Sequence, residues 1–403
     1  MLATVVNYLD RACLGVLAPT LKGELGIDEQ QLSWVISAFQ LAYMATLPLA
    51  GRLGDWLGTR ATFLLAVLWW SAASLLHGFA SGWKSLAGFR VLLGIGEAGN
   101  FPTAGKVVAE WFPAEERTLA TGVFNLGAGF GAMLAPPLVT ALLLAFGWQA
   151  AFVATGALGF VWAGLWHRLY QPPESHPRIS AAERALIERG RVRAEAGADA
   201  RGVWRLLLPE RNFWALAGAR FLAEPAWQFF VYWIPLYLAT ERGLQIKEIA
   251  WFAWMPFLAA DLGGLFGGFL SPFLQRRGLS LLTARKAAAT VSAVLMIGAV
   301  FIGRATTPAG AIAFFCVGAF AHQSLSSTLL TLPADLFPAR TVASAGGLAG
   351  GIGYLGGMLF TLVIGTVALR VGYGPLFVTI AFLDLVGAAL LWSVLRPPRA
   401  AAA

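Results

Sequence analysis

Four charged side chains stand in runs that are otherwise apolar. Asp10 and Arg11 interrupt "VVNYLDRACLGVLAPTL" at residues 5–21, and Arg90 and Glu97 lie within "FRVLLGIGEAGNFP" at residues 89–102. An ionised group at membrane depth costs about 2.5–3.5 kcal/mol even on a lenient insertion scale, so each must face a polar cavity or a partner. Neighbours on a helix project about 100° apart, so Asp10 and Arg11 must find different company. Arg90 and Glu97 share a helix face but sit roughly 10 Å apart in height, too far to pair closely. The expected contacts are therefore Glu97 with Arg11 and Asp10 with Arg90, across two helices. Asn100 lies one turn beyond Glu97, and Gly99 with Pro102 permits a local break that bares backbone polar groups. Such a set suits proton-linked chemistry on an anion. A carboxylate beside a cation can change protonation as a negatively charged solute comes and goes, and an Arg fork can hold a solute carboxylate through two bonds.

The elements that must position these groups are long apolar helices. The chain is 58% hydrophobic and 12% charged, with a mean hydropathy of +0.68, a balance suited to lipid rather than water. Windows of membrane-spanning length fall near residues 2–20, 32–53, 61–80, 85–111, 117–145, 148–170, 212–240, 249–275, 283–303, 308–332, 342–370 and 372–395. The expected fold is an all-α integral membrane protein with twelve transmembrane helices. The first window starts almost at Met1, so a short first helix or a longer native N-terminus is expected. No basic segment precedes it, unlike a cleaved signal peptide.

Counting Lys and Arg by junction places 19 on one face, including Arg60 and Arg117, and six on the other. That bias puts both termini in the cytoplasm of a bacterial inner membrane. The pI near 9.9 follows from this topology and from anionic lipid, not from nucleic-acid binding. Cys13 and Cys316 form no metal-type cluster, and no cofactor is expected. Walker loops, nucleotide-binding turns, metal spacings and nucleophile triads are missing from the sequence, which argues against an enzyme.

The chain reads as a duplication. "WFPAEERTLATG" from Trp111 matches "LFPARTVASAG" from Leu336, and "GFGAML" from Gly129 matches "YLGGML" from Tyr354, at a spacing of about 225 residues. Between the halves runs a long polar stretch in which Ser180 and Glu183 have capping-box spacing, the start of a short surface helix with Leu186 and Ile187 on its apolar face. The expected organisation is a bundle over 1–170, a linker over 171–211, a second bundle over 212–396 and a tail over 397–403.

"GRLGDWLGTR", residues 51–60, follows the second span. Gly51 and Gly58 permit close approach and a tight turn, and Asp55 can accept from a helix N-terminus. With twelve spans in two sixes, this loop resembles the signature of the major facilitator superfamily. The stretches "NYLDR", "FRVLLGIGEAGNFP", "FLAEPAWQFFVYWIPLYL" and "AHQSLSSTLLTLPADLFP" are similar to the anion:cation symporter branch, hexuronate and aldonate transporters in particular. The resemblance implies two pseudo-symmetric bundles and import of a sugar acid by proton-coupled symport, with Na+ as the other candidate ion. It implies a cytoplasmic gate at Gly51, Asp55, Gly58, Arg60 and Arg117. Asp10 and Glu97 would carry protons, and Arg11 would hold the substrate carboxylate. Tyr43, Asn125 and Gln323 fall where that family lines its sugar pocket, while Trp227 and Trp233, beside Pro225 and Pro235, could stack on a sugar face. Leu236, Gln228, Leu325 and Thr328 depart from the hexuronate pattern and point to a changed sugar end. An antiporter exchanging organophosphate or exporting a solute, and a receptor that binds without transport, are the alternatives. A monomer is expected.

Overall fold

The computed structural model describes residues 1–112, 117–173, 176–180, 182–183, 187, 205–337 and 339–396. The side chains of residues 48, 51, 52, 54–56, 109, 117–119, 121, 122, 125, 334, 339–343 and 369 fall outside that description. Every regular element among the described residues is helical, and the chain divides into two compact units, Met1–Ala196 and Gly197–Ala403. Among the described residues eight segments are long and apolar enough to cross a membrane on those grounds alone. The first helix, which carries Asp10, Arg11 and Lys22, is not among them.

The first unit contains α1 (Leu2–Leu25), α2 (Glu29–His77), α3 (Trp83–Glu97), α4 (Asn100–Trp111), α5 (Arg117–Phe146) and α6 (Trp148–Leu169). The second and third expected spans form one run, α2, which starts at a capping box on Asp28 and is broken at Gly58. There φ is 76° and ψ 163°, a conformation closed to most side chains, so the glycine makes the turn that the loop motif anticipates. The fourth span is two helices, α3 and α4, separated at Ala98 and Gly99, with Pro102 in the first turn of α4. Proline tolerates that position because first-turn amides have no helical acceptor.

In the second unit the helices are α7 (Arg211–Tyr232), α8 (Ile234–Thr240), α9 (Ile246–Phe252), α10 (Met255–Arg276), α11 (Leu281–Leu295), α12 (Pro308–Leu336), α13 (Ala339–Val371) and α14 (Gly374–Val394). A 3-10 segment, Met296–Phe301, extends α11. Pro235 and Pro256 open α8 and α10, which divides two expected spans into shorter pieces. The core joins Phe213, Leu216 and Ala219 of α7 to Leu325, Leu329 and Leu332 of α12, Ala345 and Ala349 of α13, and Leu391 of α14.

Small residues decide how near the helices come. A Cβ on Gly131 of α5 would stand 2.4 Å from the Val5 carbonyl oxygen of α1, and one on Gly356 of α13 would stand 2.1 Å from the Phe221 carbonyl oxygen of α7. These two glycines are matching positions of the repeat, and both bring a late helix of a unit onto its first helix. Such approach lets packing and weak contacts hold helices together where lipid supplies no hydrophobic drive.

Candidate functional site

The site in the first unit is assembled by glycines of α3. A Cβ on Gly94 would lie 2.6 Å from the Phe39 carbonyl oxygen in the first half of α2, and one on Gly96 would lie 2.8 Å from the Trp70 backbone nitrogen in the second half. Glu97, the next residue, is thereby held at the end of α3 among α1 and both halves of α2. Its Oε2 accepts from Arg11 Nε at 2.5 Å, and Glu97 and Arg11 are 0% and 4% exposed. The expected pair across these helices is present. Breaking a buried pair by removing one member costs about 3–5 kcal/mol, because the survivor keeps its charge without compensation.

Arg11 also lies among rings. Its guanidinium carbon is 4.5 Å from the Tyr43 ring centre, 5.0 Å from Tyr8 and 5.1 Å from Phe39. The Arg90 guanidinium carbon is 6.0 Å from the same Phe39 ring, so one aromatic side chain lies near two cations. Tyr8 and Arg11 are i,i+3 on α1, and Phe39 and Tyr43 are i,i+4 on α2, so both pairs share a helix face.

Asp10 corrects the expectation of a direct contact with Arg90. Its Oδ1 accepts from Ser74 Oγ of α2 at 2.8 Å, and no ion pair within 4.0 Å joins it to Arg90 among the described residues. Asp10 faces the second half of α2, which places its carboxylate at the Ser74 hydroxyl. Asn100 is fully buried, as is Asn7, which lies on the Arg11 side of α1. Neither amide has a hydrogen-bond partner among the described residues. Asn7 is a site residue that sequence reasoning passed over, although its i,i+3 and i,i+4 spacing to Asp10 and Arg11 was available. Ser74 carried no such signal.

Of the residues expected at a gate, Gly58 forms the kink, and Arg60 donates to the His167 carbonyl oxygen at 2.6 Å. Trp166 Nε1 donates back to the Arg60 carbonyl oxygen at 3.1 Å, so the stretch of α2 just after the Gly58 break is tied to the C-terminal turn of α6, where a cation is favoured. Nearby, Glu110 of α4 accepts from Thr59 and, at 2.8 Å, from Tyr170. Burial first and the Glu110 charge second push the Tyr170 phenol above its ordinary range. Gly51 lies within α2, but its surroundings and the side chains of Asp55, Arg117 and Asn125 lie outside the described residues, as does Leu186. Ser180 caps the Glu183 amide at 3.1 Å, and Ile187 is buried.

In the second unit, Gln323 is half-buried on α12 beside Gly264 of α10. Trp227 is half-buried, with its ring near-parallel to His322 at 6.1 Å between centres. Trp233 departs from expectation. It is fully buried and packs on Tyr373, which leaves no ring face for a sugar in this structure. The cause is the break before Pro235, which turns the ring into the packed junction of α7 and α8. Among the described residues no cluster of His, Cys, Asp or Glu could hold a metal ion.

A two-unit, all-helical fold with membrane-length segments and a buried ionic cluster in one unit defines a multi-pass membrane transporter. The chain belongs to the Major Facilitator Superfamily, whose model matches residues 1–361. It is 43% identical over 397 residues to a hexuronate transporter of Escherichia coli K12, covering 98% of this chain and 92% of that protein. A galacturonate transporter of Dickeya chrysanthemi is 41% identical over 77% of this chain and 91% of its own length. A D-galactonate transporter of Escherichia coli O6:H1 is 32% identical over 96% of this chain and 92% of its own. The fold is shared with the crystal structure of a bacterial homologue of the human lysosomal transporter Spinster, at TM-score 0.73 and 20% identity, covering 98% and 93% of the two chains.

Proposed function

We propose that this protein imports a sugar acid, a hexuronate or an aldonate, by proton-coupled symport through alternating access. The observation that carries the reading is the buried contact between Arg11 and Glu97, supported by the relatives named for hexuronate, galacturonate and D-galactonate. In this reading the substrate carboxylate competes with Glu97 for the Arg11 guanidinium, whose planar fork suits a carboxylate. Arrival of the anion then displaces a carboxylate that must take up a proton to remain buried, which links proton and substrate. Asp10 is the second proton carrier, while Arg90 and Asn100 complete the polar network. Asn7, Tyr43, Asn125 and Gln323 offer hydrogen bonds to the polyol, and Trp227 offers a ring face. Gly51, Asp55, Gly58, Arg60 and Arg117 form the cytoplasmic gate. The protein works as a monomer in a bacterial inner membrane, with both termini in the cytoplasm and H+ as coupling ion.

The test is uptake into proteoliposomes of labelled glucuronate, galacturonate, galactonate and a monocarboxylate, with and without an imposed pH step. Uphill uptake of a sugar acid that needs the pH step supports the reading. Uptake driven by Na+ alone, obligatory exchange with internal solute, or binding without uptake replaces it.

A further inference from the structure

The second unit holds its own buried ionisable pair. Asp384, in the middle of α14, is 0% exposed, and neither carboxylate oxygen has a hydrogen-bond donor among the described residues. Its nearest ionisable neighbour is His322 of α12, 3% exposed, whose Nδ1 lies 3.8 Å from Asp384 Oδ2 and likewise has no hydrogen-bond partner. Trp227 of α7 covers one face of the imidazole, and the Phe230 ring stands edge-on at 6.5 Å.

Other ionisable groups stand on the elements packed around the pair. On α11, Arg285 pairs with Asp335 of α12, and Lys286 donates to the Leu395 carbonyl oxygen past the end of α14. On α7, Arg220 and Glu224 lie against Gly353 and Gly357 of α13, and Glu224 also accepts from Gln228. Tyr237 of α8 donates to the Ile302 carbonyl oxygen, and Tyr232 is at the end of α7. Asp261 and Arg276 belong to α10, Cys316 to the first half of α12, and Tyr354 and Arg370 to α13; the 3-10 segment carries no ionisable side chain. Among the described residues the ion-pair contact of Asp384 within 4.0 Å is with His322.

Two arrangements keep such a pair neutral overall: a carboxylic acid beside a neutral imidazole, or a carboxylate beside an imidazolium. Both contain the same number of protons and differ only in where the shared one resides. Losing that proton leaves a bare carboxylate in an apolar interior, and gaining another leaves a bare imidazolium, each costly without water. We propose that His322 and Asp384 form a second proton-binding site, confined to the second unit, which holds one proton and releases it only when α12 and α14 admit water. The site does not depend on the roles proposed for Asp10 and Glu97.

Difference infrared spectroscopy of the full-length protein in liposomes tests it directly. At neutral pH the wild type is expected to show one of two signals: a carboxylic-acid band abolished by Asp384→Asn, or an imidazolium mode abolished by His322→Gln. The signal persists in Glu97→Gln, which separates this site from the first unit. A spectrum with ionised Asp384 beside neutral His322 overturns the proposal.

Discussion

The two units share their seams and differ in their chemistry. Gly131 and Gly356, matching positions 225 residues apart, each press a late helix onto the first helix of a unit. Around those seams the first unit buries Arg11, Arg90, Asp10 and Glu97, while the second buries the His322–Asp384 pair and Lys286. Duplication has therefore kept backbone approach, which tolerates almost no added volume, and let the interior charges diverge. A helix contact closer than a methyl group permits admits one residue type. A buried charge needs only some partner within reach, so its position can drift.

The sharpest way to break the comparison is at the seams. Gly131→Val and Gly356→Val are each expected to abolish recovery of monodisperse protein from detergent, since the new Cβ meets a carbonyl oxygen at 2.4 or 2.1 Å. Normal yield from one variant only would show that the halves no longer rely on the same contact. Glu97→Gln comes next: it should eliminate pH-driven accumulation while counterflow survives, because a side chain that cannot change protonation cannot link the gradient to the cycle. Full accumulation in the same vesicles would remove Glu97 from coupling. For Arg11→Lys, about a tenfold or greater loss of sugar-acid affinity is expected by calorimetry, ~1.4 kcal/mol or more, since an ammonium cannot supply the two-bond fork. Near-normal affinity would move the carboxylate site off Arg11. Ser74→Ala acts on stability rather than on transport: it leaves Asp10 Oδ1 without its donor and should lower stability by about 1–3 kcal/mol, read as a fall in thermal midpoint. No change would mean that Asp10 finds another donor on its own.

Much of the first unit is legible in its residues. Interior charges stand out against apolar runs, Pro102 and Gly99 mark the break between α3 and α4, and the loop glycine Gly58 adopts the conformation its position implies. The Arg11–Glu97 pair can be anticipated because only a few opposite charges are available. Asp384 gives no such signal, since one acid in a strongly apolar span offers no pattern from which to name a partner. Trp233 misleads because a tryptophan near prolines reads alike whether its ring lines a cavity or fills a core.

What the sequence determined by itself is a chain of apolar helices, its repeated motifs and the identity of the groups too costly to leave in lipid. These follow from hydropathy and local stereochemistry, which act over a few residues. Only the tertiary structure decided that Asp10 takes Ser74 rather than Arg90, that Trp233 is core, and that His322 meets Asp384. Partner choice depends on the rotation and height of whole helices. Those are set by glycine contacts and side-chain volumes summed along each seam, and no single residue encodes them.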